Sequence, residues 1–272
     1  MRKQAYYEKN KIVQDYLNDN FSVSIIAKNN NISIQTVYDI LRRENIAFKR
    51  GRNNRKNKFN YHYFDIINSK DKAYFLGWLY SDGNNYPPTG TIQLGIQESD
   101  IKILKILQSY ITNKRFDIKI YKRKQGKNKA VLKLTSKITS KALEKLGVVQ
   151  NKTFILEFPT EKQVSKKYIH HFIRGYFDGD GCITAFLSKK DRNPSYFFTI
   201  SGNHKFLNVC QDVIISILNF RKTKLIKNRS IFNMCYGGNN QIILLYNWLY
   251  TDCDDLYLER KKLKFEELCK RQ

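Results

Sequence analysis

Residues 75–83 read FLGWLYSDG, and residues 173–181 read IRGYFDGDG. Each segment is an apolar run with a small residue in its middle, and each ends in an Asp-Gly pair. The apolar pattern predicts a helix, and the Asp-Gly pair predicts where that helix stops. One such ending is ordinary helix termination, whereas two of them about a hundred residues apart indicate a duplicated unit.

The segments around both motifs repeat one order of predicted elements within residues 61–272: helix, strand, helix, strand, strand, helix. A very short strand is expected before the first long strand of each copy. The first copy is predicted at 71–81, 91–97, 100–111, 117–124, 130–135 and 139–146. The second copy is predicted at 166–179, 195–201, 205–218, 222–227, 231–236 and 240–249. Ser99 and Asn203 are predicted as matching N-caps of the helix that follows.

The predicted strands alternate apolar with polar residues, as in a sheet with one face on helices and the other exposed. The outward set mixes basic and amide side chains, which suits contacts with phosphates and base edges in a major groove. In the second copy the residues expected to face outward are Ser195, Phe197, Thr199 and Ser201. The expected DNA contacts on the sheets are Gln93, Lys119, Tyr121, Arg123, Lys133, Thr199, Lys222 and Lys224. A solvated sheet face is the simpler alternative.

Composition narrows the class of protein. The chain has 272 residues, 42% hydrophobic and 14% aromatic, which argues against disorder. Its net charge of +25 favours nucleic acid as a partner, although an AT-rich genome also enriches Asn and Lys. Five scattered cysteines without a CxxC pair indicate reduced thiols in a cytosol-like compartment. The expected location is the cytoplasm, for a bacterial or phage-encoded protein, with an organelle as the alternative. Neither a signal-peptide core nor a membrane-spanning segment is expected.

Residues 1–50 are predicted as a small all-helical domain with helices at 11–17, 22–28 and 33–43. Its expected core residues are Ile25, Ile26, Ile32, Val37, Ile40 and Leu41. The segment looks like a helix-turn-helix of the resolvase or sigma-factor type, with 33–43 as the recognition helix capped by Ser33. Its expected DNA contacts are Gln35, Thr36, Tyr38, Arg42 and Arg43. A generic helical bundle is the alternative.

A basic linker at 51–60 follows, and it separates this domain from the two copies at 61–160 and 161–272. Arg50, Arg52 and Arg55 are expected to lie along a groove of DNA, while the simpler interpretation is a solvated tether.

The two motif helices are predicted to pack against each other. Gly77 and Ser81 are four residues apart, as are Gly175 and Gly179, so each pair lies on one helix face. Small residues there allow two helix backbones to approach closely. The glycines after the aspartates, at 83 and 181, are predicted to adopt the left-handed conformation that ends a helix.

This packing would bring Asp82 and Asp180 together at one end of the helix pair. Two carboxylates with exposed backbone oxygens suit Mg²⁺, and helix C-termini favour cations. The residues expected to surround the metal are Asp82, Asp180, Ser81, Gly83, Gly179 and Gly181. Two equivalent acids match the twofold symmetry of duplex DNA, so metal-assisted cleavage of both strands is predicted. The alternative is that each Asp-Gly pair only ends a core helix.

At these residues, over about 60–270, the chain resembles single-chain LAGLIDADG homing endonucleases. Residues 171–183, HFIRGYFDGDGCI, are a specific match, and YLERK at 257–261 is similar to the family's C-termini. The resemblance implies an α+β fold with two αββαββα halves forming a saddle over the major groove. It also implies a monomer that cuts double-stranded DNA across the minor groove, leaving short 3′ overhangs. Mg²⁺ would serve as cofactor, with Mn²⁺ as a substitute.

The resemblance also implies roles for individual residues. Asp82 and Asp180 take the metal-binding positions, and Tyr80 replaces the earlier acid that Asp178 keeps in the second motif. A lysine and a glutamine near each site are further family features. The candidates for them are Gln97, Glu98, Lys133 and Lys137, whereas the second-copy counterparts Ser201 and Gly202 match poorly.

Two classes of function remain open at this point. The first is a site-specific DNA endonuclease. The second is a non-catalytic protein on the same scaffold, either a DNA-binding regulator or a maturase that binds intron RNA. A recombinase-like accessory factor is a more distant alternative that rests on residues 1–50 alone.

Overall fold

The protein is described by a computed structural model that covers residues 2–17, 23–46, 59–112, 117–123, 125–187 and 194–270. The chain divides into two compact units, Met1–Lys56 and Asn57–Gln272. Arg50 and most of the predicted linker, including Arg52 and Arg55, lie outside the described residues. Within the described part of the chain, no helix combines the length and apolar character needed to cross a membrane.

The described residues of the first unit form three helices, α1 (Arg2–Leu17), α2 (Val23–Asn29) and α3 (Ile34–Arg43). Ser33 caps α3 as predicted, since its Oγ accepts a hydrogen bond from the backbone N–H of Thr36 at 3.0 Å. The buried core residues are Ile12, Tyr16, Ile26, Ala27, Val37 and Leu41. Ile25 was predicted in this core but is exposed, because neighbouring residues on a helix point in different directions and Ile26 takes the inward position.

The first half of the larger unit begins with α4 (Lys70–Ser81), β1 (Gly83–Tyr86) and β2 (Thr91–Gln97). It continues with α5 (Lys102–Ile111), β3 (Lys119–Tyr121), β4 (Lys129–Thr135) and α6 (Lys137–Lys145). Short 3-10 turns lie at Glu98–Asp100 and Lys152–Phe154.

The second half has the same order. Its elements are α7 (Ile169–Asp180), β5 (Gly181–Phe186), β6 (Ser195–Gly202), α8 (His204–Leu218), β7 (Ile226–Asn228), β8 (Ile231–Gly237) and α9 (Asn239–Leu249). A further helix, α10 (Glu259–Cys269), follows and was not predicted. Both halves therefore have the αββαββα order that the resemblance implies, and the α+β class is confirmed.

In the part of the chain that the structure describes, each half contains one antiparallel sheet of four strands, in the order β1-β2-β4-β3 (sheet 1) and β5-β6-β8-β7 (sheet 2). The alternation predicted for the long strands is confirmed. Ile92, Leu94 and Ile96 are buried on the helix side of sheet 1, whereas Phe198 and Ile200 are buried in sheet 2. The opposite face of each sheet is turned away from the helices.

The edge strands β3 and β7 are shorter than predicted, because side chains replace part of the backbone pairing. Beyond β3, the N–H of Arg123 donates to the Asn128 side chain at 3.2 Å. Before β7, the hydroxyl of Thr223 donates to the carbonyl of Cys235 at 3.1 Å. Lys222 and Lys224 consequently precede β7 and do not belong to it.

Ser99 is not an N-cap, contrary to prediction. It lies inside the 3-10 turn Glu98–Asp100, where its hydroxyl donates to Asp100 Oδ1 at 3.3 Å, and the residue before α5 is Ile101. Asn203, by contrast, caps α8 as predicted by accepting from the Phe206 N–H at 2.9 Å.

Gly83 and Gly181 do not adopt the left-handed conformation predicted for them. Gly181 is extended, with φ −106° and ψ 170°, and neither glycine has a positive φ. Both are required for close approach instead. A Cβ on Gly83 would lie 2.5 Å from the carbonyl oxygen of Leu79, and one on Gly181 would lie 2.6 Å from that of Phe177. Each glycine lets the chain turn directly from a helix into a strand.

Candidate active site

Two acidic residues end the packed helices α4 and α7, which join the two halves. Asp82 is the C-terminal cap of α4, and its N–H donates to the carbonyl of Trp78 at 3.0 Å. Asp180 is the last residue of α7. A Cβ placed on Gly179 would lie 2.9 Å from Asp82 Oδ2, so the Asp82 carboxylate reaches the end of the partner helix. The structure thus brings both predicted acids to the same end of the helix pair.

The two carboxylates lie in a partly desolvated site, where the charge of Asp82 acts on Asp180. Both residues are exposed, yet their neighbours limit hydration, and this partial desolvation raises the pKa of each. The pKa of Asp180 rises to about 6, and the charge of Asp82 is the second cause. Like charges held near each other favour either a proton or a cation between them.

Two lysines that the sequence analysis missed lie at equivalent places beside this pair. Lys152, in the turn after α6, donates Nζ to the carbonyl of Gly83. Lys261, on α10, is buried and donates to the carbonyl of Gly181 at 2.6 Å and to two carbonyls in the last turn of α7. Each lysine thereby neutralises the negative end of one motif helix.

These lysines belong to the same charge cluster as the acids. Desolvation lowers the pKa of both, that of Lys261 to about 8, and Asp180 opposes the shift in each case. In return, both lysines act to lower the pKa of Asp82 and Asp180. Lys152 and Lys261 share one sequence signal, because each follows the third predicted helix of its copy. Both were missed at the sequence level because the lysines considered there lay in and next to the strands.

A cleft opens beside each acid. The first has a volume of about 440 Å³, and its walls include Asp82, Gln97 and Lys129. The second has a volume of about 190 Å³ and is lined by Asp180 and Lys152, among others. The site thus has one cleft beside each acid, in keeping with the duplication of the two halves.

The accessory residues suggested by the resemblance are dispersed. Gln97 lines the first cleft, while Glu98 accepts a hydrogen bond from the Asn128 side chain at 2.8 Å. Lys133 is exposed near the middle of β4. Lys129, at the start of the same strand, has the largest lowering effect on the pKa of Asp82. Gln97 and Lys129 are cross-strand partners, so they face the cleft together.

The earlier acid of the second motif, Asp178, has a structural role. Asp178 is buried, and its Oδ2 accepts from the hydroxyl of Tyr74 at 2.8 Å and from the N–H of Leu258 at 2.9 Å. Desolvation raises the pKa of this carboxyl. In the first motif, Tyr80 occupies the matching position and donates to the carbonyl of Leu146. Both side chains tie a motif helix to the segment that follows the third helix of its half.

The predicted metal ligands provide a partial coordination set. Among the described residues, no group of three or more His, Cys, Asp and Glu could hold a metal ion. The two aspartates suit Mg²⁺, which commonly binds one or two protein carboxylates and completes its shell with water and phosphate. The carbonyls of Gly83 and Gly181 accept from lysines, and Ser81 donates to the carbonyl of Trp78 at 3.1 Å.

The predicted DNA-contacting residues fall into three groups. Those on α3 are exposed, and Asp39 bridges two of them, accepting from Gln35 at 3.1 Å and lying 3.5 Å from Arg42. Residues of sheet 1 at 93, 119, 121 and 133 lie on its outward face, and Arg123 lines the first cleft. In the second half, Thr199 lies on the outward face and Lys222 pairs with Asp212 at 2.6 Å.

No protein-family model and no curated protein matches the sequence. Solved structures do match. The LAGLIDADG meganuclease I-AabMI bound to uncleaved DNA is 10% identical, with a TM-score of 0.47, over 73% of this chain and 88% of that one. The meganuclease I-SmaMI bound to uncleaveable DNA is 11% identical, with a TM-score of 0.46, over 74% and 90%. The LAGLIDADG homing endonuclease I-LtrWI bound to target DNA is 11% identical, with a TM-score of 0.41, over 78% and 98%.

Proposed function

We propose that the protein is a site-specific, Mg²⁺-dependent DNA endonuclease of the LAGLIDADG homing type that cuts both strands of a duplex as a monomer. The observation that carries this proposal is the position of Asp82 and Asp180 at equivalent helix ends, where the charge of one raises the pKa of the other. A single chain with two equivalent acids can address the scissile phosphates of two antiparallel strands without a second copy.

The charges around the acids are those that phosphodiester cleavage requires. Asp82 and Asp180 would hold Mg²⁺, which when bound supplies an activated hydroxide and offsets charge on the leaving oxygen. Lys152 and Lys261 are held by backbone carbonyls beside the acids, so they offset the charge of an incoming phosphate without rearrangement. Each cleft gives one strand access to one acid.

The deciding experiment is cleavage of a plasmid library carrying randomised targets, with Mg²⁺ and with a chelator. Discrete double-strand breaks that require Mg²⁺ are expected. Sequence-specific duplex binding without cleavage would instead identify a DNA-binding regulator. Tight binding confined to a folded intron RNA would identify a maturase.

Binding to duplex DNA is expected to weaken steeply with salt. Displacement of counterions from about 6–10 phosphates lowers affinity roughly 10³–10⁵-fold between 50 and 200 mM salt. The net charge of +25 and the three lysines on the outward face of sheet 1 motivate this expectation. Titrations of a selected duplex at several salt concentrations measure the slope, and a flat profile would contradict phosphate-based binding.

Removal of residues 1–55 is expected to weaken binding and to shorten the protected DNA, while cleavage at the selected site persists. The physical reason is that the N-terminal unit has its own buried core, whereas both aspartates and both lysines belong to the larger unit. Footprinting and cleavage assays on the truncated protein measure the two effects. A truncated protein that is folded by circular dichroism yet inactive at every concentration would contradict this division of roles.

A further inference from the structure

The outward faces of the two sheets differ in charge. On sheet 1 the outward residues include three lysines, Lys119, Lys129 and Lys133. Lys133 is paired across the sheet with Gln93, and Lys129 is paired with Gln97. This face therefore combines cations with amide groups, which bind phosphates and base edges.

The outward face of sheet 2 carries no charged side chain along the described strands β5 to β8. Its central residues, traced by strand register, are Cys182, Thr184, Phe186, Phe197, Thr199 and Cys235. The charged residue of these strands is Lys227. Its cross-strand partner is Phe232, so the alternation along the strands assigns Lys227 to the other face of the sheet. The two halves thus share a backbone plan while presenting chemically different surfaces.

The aromatic residues on this face are accessible to a partner. Phe186 is 63% exposed and Phe197 is 41% exposed. Phe197 lies over Gly237, its cross-strand partner, since a Cβ on that glycine would be 3.0 Å from Phe197 Cε1. The absence of a side chain at position 237 therefore leaves room for the Phe197 ring.

This surface is continuous with the candidate active site. Strand β5 begins at Gly181, directly after Asp180, and Cys182 is in register with Thr199. A duplex whose phosphate approaches Asp180 would therefore run along the outward face of sheet 2. Because the described strands carry no cation on that face, we expect their contribution to come from contacts with the bases.

Phenyl rings and threonine methyl groups match one feature of the major groove, the C5-methyl group of thymine. We propose that sheet 2 reads a thymine-rich half-site through apolar contacts made by Phe197 and Phe186, whereas sheet 1 holds the other half-site through lysine contacts. This inference rests on the proposed function, since it assigns specificity to a surface of the same DNA-binding site. The recognised target is accordingly asymmetric, with methyl contacts concentrated on one side of the cleavage position.

The test uses the full-length protein and a duplex that it selects from a random pool. Each thymine is replaced in turn by deoxyuridine, which keeps base pairing and removes only the methyl group. Affinity is expected to fall about threefold to fourfold for each contacted methyl, the value of one buried methylene. The sensitive positions should cluster in one half-site. The affinity for that half-site should depend less on salt concentration than the affinity for the other half-site.

Phe197→Ala provides the matching change in the protein. It is expected to weaken binding to the thymine duplex and to reduce the effect of deoxyuridine in the sensitive half-site, while the contacts of Phe186 remain. The salt slope should stay unchanged, whereas Lys133→Ala should reduce the slope by about one. Tyr121→Ala removes a comparable exposed aromatic ring from sheet 1 and should leave the sensitivity to deoxyuridine intact. Thermal unfolding of each variant separates lost contacts from lost folding.

The possible outcomes test this inference separately from the proposed endonuclease function on which it rests. Specific binding and cleavage with no response to deoxyuridine in either half-site would overturn the inference and leave the endonuclease proposal standing. Sensitivity that Phe197→Ala does not alter would overturn it as well. Failure to select any duplex, with preference for an RNA that lacks the methyl group, would overturn both.

Discussion

Asp180→Asn is expected to reduce double-strand cleavage at least about 10³-fold while binding to the selected duplex changes little. The substitution keeps the size of the side chain but removes the charge that would hold a divalent cation. Metal-ion stabilisation of the transition state is worth several kcal/mol, and each 1.4 kcal/mol corresponds to tenfold in rate. Single-turnover cleavage and gel-shift titrations on the same duplex measure the two quantities.

Asp82→Asn should cause a loss of similar size, since the two acids occupy equivalent helix ends and the charge of Asp82 raises the pKa of Asp180. A variant that still cuts one strand at the normal rate would mean that each acid serves its strand alone. Cleavage that survives both substitutions would contradict the assignment of these carboxylates.

Two other aspartates provide controls for this experiment. Asp212 is exposed and pairs with Lys222, so Asp212→Asn should affect neither folding nor cleavage. Asp178 is buried and accepts hydrogen bonds from Tyr74 and Leu258. Asp178→Asn should therefore lower the melting temperature first, and any loss of cleavage should follow the loss of folded protein.

The parts of the fold that could be predicted from sequence are those encoded by local periodicity. The strand at 91–97 was predicted with its observed bounds, because apolar and polar residues alternate along it without interruption. The helix-capping roles of Ser33 and Asn203 were likewise readable, since each depends on contacts within three residues. The pairing of α4 with α7 followed from small residues at matching positions, which is a local pattern repeated in two places.

The parts that sequence could not specify depend on contacts between distant segments. Lys261 reaches the end of α7 from a helix that begins at Glu259. It ends the YLERK segment at 257–261, but that segment does not reveal which distant carbonyls the lysine side chain contacts. Gly83 and Gly181 were assigned the wrong conformation, because the restriction on them comes from the preceding turn of helix and not from their own dihedral angles. Side-chain position at the site therefore required the three-dimensional structure.

Gly175→Ala is expected to destabilise the larger unit by about 1–3 kcal/mol, the usual cost of overpacking a tight contact. Alanine is the better helix former by about 1 kcal/mol, so propensity alone predicts the opposite sign. The added methyl group would overlap the carbonyl oxygen of Tyr74 and lie 2.9 Å from its carbonyl carbon. Because both atoms are backbone, neither can rotate away, and the helices must separate.

Gly77→Ala tests the same contact from the other helix, since its Cβ would overlap the carbonyl oxygen of Phe172 and lie 2.6 Å from the backbone nitrogen of Tyr176. Both variants should lower the melting temperature by several degrees, at roughly 2–4 °C for each kcal/mol in a unit of this size. Val209→Ala on the exposed side of α8 serves as the control and should change stability by no more than about 0.5 kcal/mol. Unchanged melting of both glycine variants would mean that α4 and α7 do not meet at these residues, and the two aspartates would then lose the geometry that places them together.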